Sequence, residues 1–210
     1  MCLNQISKNI FVINLKKRTD RLRHIQEELK KINCNNYEIV EAIDGNTINR
    51  SLFINQGALG LVQTYFKIFE LIKDKPTEEI IIIEDDCVFH ENFCDRINNF
   101  INEVPNNWEI LYFGGNHNEL GNAQPPIRVN NSVLKVHHTY SAHCVVIKTK
   151  IFFELIDILK SLRYQTDVGL SFLQKKYPCY TTSKKITWQV PTYSDIENKL
   201  VNYNSTLKDE

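Results

Sequence analysis

The chain of 210 residues has no long apolar run. Its longest purely aliphatic stretch is Ile80 to Ile83, far short of the roughly 20 residues that a membrane-spanning helix needs. Met1 to Lys8 lack the apolar centre of a secretory signal. These absences set the expectation of a soluble, cytoplasmic protein with no integral membrane segment. Net charge is missing as well, since 25 Lys and Arg balance 25 Asp and Glu. Nucleic-acid binding ordinarily needs a basic face, so no nucleic-acid partner is expected, although a local basic cluster runs from Lys16 to Arg23. The six cysteines contain no C-x-x-C pair, which argues against a zinc site and against a disulfide scaffold. Free thiols in a reducing compartment are the expectation. No repeat or linker interrupts the chain, and its length suits one domain. The polar residues 198–210 are expected to form a frayed tail.

What is present is an alternation of strand-like and helix-like segments. Asn9 to Leu15, Tyr37 to Ile43, Ile80 to Ile83 and Trp108 to Phe113 read as strands, the last ending at Gly114-Gly115. Between them, Leu22, Ile25, Leu29 and Ile32 share a helical face after a candidate cap at Thr19. Leu61, Tyr65, Phe69 and Ile72 mark a second helix, Phe93, Ile97, Phe100 and Ile101 a third. Further on, Ser132 to His137 and Tyr140 to Ile147 read as strands. A helix over 150–162 follows, with Thr149 as candidate cap. Residues 167–176 read as helix and 180–190 as extended. Strands separated by crossovers predict an α/β protein, with a largely parallel sheet covered by helices on both faces. Ligands of such sheets bind beyond the carboxyl ends of the strands. The segments there are Asn14 to Arg21, Asp44-Gly45, Glu84-Asp85-Asp86 and Gly114 to His117.

Glu84-Asp85-Asp86 follows four isoleucines directly. Three adjacent carboxylates repel one another and call for a compensating cation. Side chains at i and i+2 of a strand point the same way, so Glu84 and Asp86 can converge while Asp85 points elsewhere. Hard oxygen ligands suit Mg²⁺ or Mn²⁺ and leave coordination positions for phosphate oxygens. The competing reading is a solvated turn before the next helix. By itself the triplet signals metal and phosphate rather than sugar.

The order of motifs resembles glycosyltransferase family 25, the lipopolysaccharide and collagen galactosyl- or glucosyltransferase group. The resemblance rests on I-F-V-I-N-L-K-K-R-T-D-R (Ile10 to Arg21), V-E-A-I-D-G (Val40 to Gly45), G-A-L-G (Gly57 to Gly60) and I-I-I-I-E-D-D (Ile80 to Asp86). It continues with Y-F-G-G (Tyr112 to Gly115), T-D (Thr166, Asp167) and Q-x4-S-D-I (Gln189 to Ile196). It implies a GT-A type, Rossmann-like fold, a UDP-sugar donor, Mn²⁺ or Mg²⁺, and inversion at the anomeric carbon. The implied acceptor is a glycan, a lipopolysaccharide-like molecule or a hydroxylysine-type side chain.

Carried onto this sequence, the resemblance assigns metal and diphosphate to Asp86, with Glu84 sharing the metal or meeting the ribose. Asp85, Asn14, Leu15, Asp44 and Gly45 join the nucleotide-binding set. Arg18 and Arg21 suit phosphate, because a guanidinium binds it bidentately, or they are a solvated helix start. Asp167 is the candidate general base, against a plain helix cap, and Asp195 is the second choice. His143 is the candidate late metal ligand, against a packed core residue, with His138 and His117 also considered. Thr64-Tyr65 stands where bacterial members tend to carry Ser-His, and Tyr65 suits either a sugar-flanking ring or the core. The rival functions are a degenerate nucleotide-sugar or glycan binder and a metal-dependent phosphoryl-transfer enzyme.

Overall fold

The computed structural model describes residues 3–49, 52–117 and 125–202. A short helix α1 (Leu3–Ile6) leads into β1 (Ile10–Asn14), α2 (Thr19–Lys31) and β2 (Glu38–Glu41). Then come α3 (Gln56–Ile72), β3 (Glu79–Glu84), β4 (Cys87–Phe89), α4 (Phe93–Glu103) and β5 (Ile110–Asn116). The second half contains β6 (Ile127–Arg128), β7 (Val133–Val136), β8 (Tyr140–Lys148), α5 (Thr149–Leu159) and α6 (Thr166–Gln174). It closes with β9 (Cys179–Thr182), β10 (Thr187–Gln189), β11 (Thr192–Ser194) and β12 (Lys199–Val201).

The main sheet has the order β2-β1-β3-β8-β5-β9-β7-β6. β1 pairs in parallel with β2 and β3, and β5 with β9, whereas β8 is antiparallel to both β3 and β5. β7 is antiparallel to β9 and to β6. Traced across the sheet, β8 and β7 run against the other six strands, so the sheet is mixed but mostly parallel in direction. The reversal of β8 matters for function. It brings the start of that strand to the edge where β1 and β3 end.

Each face of the sheet carries its own core. The isoleucines of β3 divide between them: Ile80 and Ile82 pack with Val62, Ile68, Phe152 and Leu170 on the side of α3, α5 and α6. Ile81 and Ile83 pack with Ile25, Leu29, Phe93 and Phe100 on the side of α2 and α4. A strand buried on both faces has no reason to alternate, which accounts for the unbroken isoleucine run.

Several local expectations are corrected. Thr19 and Thr149 are the first residues of α2 and α5; the cap positions fall on Arg18 and Lys148, and neither makes a side-chain cap bond. α3 is instead capped by Asn55, which accepts from the Ala58 amide. β5 does not stop at Gly114 but continues to Asn116. A Cβ on Gly114 would stand 1.9 Å from His143 Nε2, and one on Gly115 2.6 Å from Thr139 Cγ2, so these glycines admit side chains packed across the strand. The extended stretch 180–190 splits into β9 of the main sheet and β10, which pairs with β4. Lys199–Val201 forms a hairpin with β11 rather than fraying. The remainder of the expected tail, 203–210, lies outside the described residues. The described cysteines, Cys34, Cys87, Cys94, Cys144 and Cys179, are free thiols. No described helix is long and apolar enough to cross a membrane.

Candidate functional site

The carboxyl ends of β1 and β3 and the loop after β2 open into a cleft of about 700 Å³. Glu84, Asp85 and Asp86 all line it. Glu84 closes β3, and the next two residues make the turn into β4. Gln189 Nε2 stands 3.2 Å from Glu84 Oε2 and 3.3 Å from Asp86 Oδ1. Asp85 accepts from Asn14 Nδ2 at 2.7 Å and from Arg21 Nη1 at 2.9 Å. Arg21 Nη1 also lies 3.3 Å from Asp86 Oδ2.

Electrostatics follow from this crowding. Glu84 keeps some surface open to the cleft, yet burial, then the charges of Asp86 and Asp85, push it up to about 8. Burial also raises Asp85, with Arg21 opposing. One guanidinium against three carboxylates leaves negative charge in excess. Among the described residues no three Asp, Glu, His or Cys side chains are placed to hold an ion unaided. Two carboxylates facing an open cleft nevertheless fit Mg²⁺ or Mn²⁺, which commonly take their remaining ligands from water and substrate phosphate. Glu84 and Asp86 are the residues that would hold such an ion.

The segment after β1 ties the C-terminal hairpin across this cleft. Arg18 forms an ion pair with Asp195 and chelates Asp20 at 2.9 and 3.0 Å. Arg18 and Arg21 both donate to the Tyr193 carbonyl, at 3.3 and 3.0 Å. Lys17 Nζ lies 2.6 Å from Asp44 and 3.8 Å from Asp195. The Lys17 hydrogen bond holds Asp44 below the usual carboxylate range, and the same bond raises Lys17. Leu15, Arg21, Asp44, Gly45 and Asp195 line the cleft themselves. Asn14 and Arg18 stand behind it and fix those that do, Asn14 through Asp85 and the Arg18 carbonyl.

The G-A-L-G motif supplies the close approaches that shape the wall. A Cβ on Gly57 would come within 2.4 Å of Ile196 Cα, and one on Gly60 within 2.4 Å of the Ile43 carbonyl oxygen. The hairpin and the loop after β2 therefore rest directly on the first turns of α3. Thr64 completes that seat. Its hydroxyl donates to the Gly60 carbonyl at 2.8 Å and accepts from the Ile43 amide at 2.9 Å. Tyr65 belongs to the core, 1% exposed and tilted against Phe152, and is not a cleft ring.

Asp167 lines the cleft from the first turn of α6. The cap position is Gln165, so Asp167 is not a cap. Its Oδ1 accepts from the Val168 amide at 2.8 Å and its Oδ2 from the Ser141 amide at 3.4 Å. Ser141 also lines the cleft, with φ 59° in the left-handed region, a conformation that costs a non-glycine residue about 1–2 kcal/mol.

The structure does not bring His143 to the cleft. It is fully buried, with Nε2 3.1 Å from Thr187 Oγ1. That hydroxyl donates to the Phe113 carbonyl, so it accepts from an Nε2–H. Burial depresses His143 to about 3, which makes it a neutral core residue. His117 and His138 bond to Thr139 Oγ1 and the Tyr140 hydroxyl, at 2.9 and 2.8 Å. Neither is among the residues lining the cleft.

A family model described as "Glycosyltransferase family 25 (LPS biosynthesis protein)" matches residues 7–168. The chain belongs to glycosyltransferase family 25. Procollagen galactosyltransferase 2 of Mus musculus is 27% identical over 158 residues, 63% of this chain and 24% of the relative. A probable inactive glycosyltransferase 25 family member 3 of Rattus norvegicus is 24% identical over 127 residues, 50% of this chain and 22% of the relative. The chain thus spans about a quarter of the length of these relatives. Among solved structures, a glycosyltransferase involved in glycosylation of the major capsid of PBCV-1 covers 74% of this chain and 65% of its own, at 17% identity and a TM-score of 0.42. The family 25 assignment and the mixed, mostly parallel sheet agree with the GT-A type α/β architecture expected from sequence.

Sequence reasoning left several cleft contacts without a role. Gln189, between Glu84 and Asp86, opens the Q-x4-S-D-I pattern, and that position was the available signal. Lys17 was visible only within the basic cluster. The backbone donors around Asp167 left no signal, because a main-chain amide has no letter.

Proposed function

We propose that this family 25 chain is an inverting, metal-dependent hexosyltransferase acting on a UDP-sugar and a glycan or protein hydroxyl. The observation that carries the reading is the facing of Glu84 and Asp86 toward one amide, at 3.2 and 3.3 Å, in a cleft that also holds Asp167. A divalent ion held by Glu84 and Asp86 would offset the charge that grows on the departing diphosphate. Lys17 and Arg21 present further positive charge to that end of the cleft. Asp167 takes the proton of the acceptor hydroxyl as its oxygen bonds to the anomeric carbon. Attack comes from the face opposite the bond to the diphosphate oxygen. That bond breaks with its electron pair leaving on UDP, and the configuration inverts. Backbone donors from two elements fix the Asp167 carboxylate beforehand, so no reorganisation is required of it.

The test is calorimetric titration with UDP, with Mn²⁺ and then with EDTA, followed by a screen of UDP-sugars. Binding that depends on the metal supports the reading, whereas absence of binding in both conditions removes the UDP donor. UDP binding with no turnover of any UDP-sugar would favour the non-catalytic binder, a reading kept by the inactive relatives within the family.

A further inference from the structure

Two loops reach the cleft. One, 52–55, leads into α3, and the other, 162–165, leads into α6. Asn55 from the first and Gln165 from the second line the cleft, and Gln165 is followed in the chain by Thr166 and Asp167. Two residues before each of them, the loops meet again outside it: the Arg163 guanidinium lies over the Phe53 ring, 5.0 Å from its centroid. Phe53 is 59% exposed and its neighbour Leu52 93% exposed. Large apolar side chains left open side by side mark a binding surface more often than scattered ones do.

The lining changes character along the cleft. Around the acidic triplet it is charged. Ser141, whose amide donates to Asp167, and Gln165 and Thr166, which precede it in the chain, are neutral hydrogen-bonding residues that line the cleft. Such groups match a ligand rich in hydroxyls and without charge. An apolar ring beside a guanidinium matches a pyranose, whose C–H face packs on the ring while its hydroxyls accept from the five guanidinium N–H donors. A lysine-bearing peptide would meet Arg163 as a like charge.

We propose that Phe53 and Arg163 form an acceptor ledge that seats a neutral pyranose and directs one of its hydroxyls into the cleft. This deepens the transferase reading and rests on Asp167 being its base. The probes are methyl β-D-galactopyranoside, methyl β-D-glucopyranoside and a hydroxylysine-containing collagen-like peptide. Saturation-transfer NMR and affinity are measured on the wild type, Phe53→Ala and Arg163→Ala, with UDP titrated separately. Both side chains are exposed, so both variants are expected to melt with the wild type. At least one pyranoside is expected to bind, with transfer concentrated on one ring face, and to weaken by about fivefold or more in each variant, in the range of a lost stacking or charge-assisted contact. UDP affinity is expected to stay unchanged in both variants. Absence of pyranoside binding to the wild type, or equal binding in all three proteins, overturns the ledge. Tighter binding of the peptide than of either pyranoside, lost in Phe53→Ala, overturns it in favour of a protein acceptor. Pyranoside binding that depends on Phe53 supports the ledge even where UDP does not bind, so the two readings fail separately.

Discussion

Gln189 offers one amide nitrogen to both Glu84 and Asp86, at 3.2 and 3.3 Å. Both contacts are long for N–H···O hydrogen bonds, so the amide only partly satisfies the two carboxylates, of which Glu84 is disfavoured as an anion by burial and by the charges of Asp86 and Asp85. A cation placed between them would gain more than the amide does. Asp86→Ala is therefore expected to abolish metal-dependent UDP binding. The fold is expected to survive, because Asp86 sits in the turn after β3 rather than in a sheet ladder. Calorimetry with UDP and Mn²⁺, beside a thermal melt, checks both parts. Unchanged UDP affinity would remove Asp86 from the donor site.

Asp167, as the proposed base, would separate chemistry from binding. Its carboxylate lines the same cleft, while Lys17 and Arg21, the cations proposed to face the diphosphate, belong to the segment after β1. Asp167→Asn keeps the shape and removes the proton acceptor. Donor affinity is expected to remain, and kcat to fall by roughly 10²–10⁴-fold, the usual cost of losing a general base. Full turnover in that variant would pass the role to another group, Asp195 being next in line.

Thr64, where the resemblance expects a Ser, has a structural role in this chain. It is fully buried and joins the Gly60 carbonyl to the Ile43 amide. Thr64→Ser preserves both bonds and is expected to be close to neutral. Thr64→Val leaves the Ile43 amide without its partner, which costs about 1–3 kcal/mol in a buried setting. It also frees the loop bearing Asp44 and Gly45. Chemical denaturation of both variants measures the difference, and equal stability of the two would show that the hydroxyl carries no load.

His143 and His117 give the fold an acid limit. Burial depresses them to about 3 and about 4, from an ordinary value of 6.5. Below pH 6.5 the unfolded chain takes up protons that the folded chain refuses. The histidine contribution is therefore complete above 6.5 and falls as the pH drops toward the folded values, while the raised Glu84 acts in the opposite sense, its contribution being lost as the pH rises through about 8. For His143 alone the loss between pH 6.5 and 5 amounts to about 2 kcal/mol. With denaturation midpoints measured at pH 7, 6 and 5, the advantage of the wild type over His143→Asn is expected to shrink in that order, the variant being less stable at pH 7. An advantage that stays the same at all three would assign the acid limit elsewhere.

The legible parts of this protein were those in which one residue type solves one physical problem. Ile80 to Ile83 announced a strand buried on both faces, and the carboxylates behind it announced the cleft. Gly57 and Gly60 were visible as letters, but their purpose lies in contacts with Ile196 and Ile43, which no spacing reveals. The direction of β8 was equally hidden, since Val145, Val146 and Ile147 would read the same in either orientation. His143 misled because a histidine in an apolar strand looks the same in sequence whether it meets a metal or a threonine. Its partner Thr187 is 44 positions away. Lys199–Val201 looked polar enough to fray, yet it completes a hairpin held mainly through Arg18, Arg21 and Lys17.

That hairpin rests on Gly57, and the contact is backbone to backbone. A Cβ at this position would stand 2.4 Å from Ile196 Cα and 2.6 Å from the Asp195 carbonyl oxygen. No flexible side chain is available to yield, so Gly57→Ala must displace the segment that carries Asp195. The helix itself gains from alanine, so the melting temperature is expected to change little. UDP affinity is expected to fall by about tenfold, equivalent to about 1.4 kcal/mol, with faster protease cleavage between β11 and β12. Gly169→Ala provides the contrast. Its Cβ would meet Leu155 Cδ1 at 2.9 Å, within the core between α5 and α6, and is expected to alter stability without altering UDP affinity. If Gly57→Ala binds UDP as tightly as the wild type, the hairpin is not part of the donor site, and the Arg18–Asp195 pair serves only the fold.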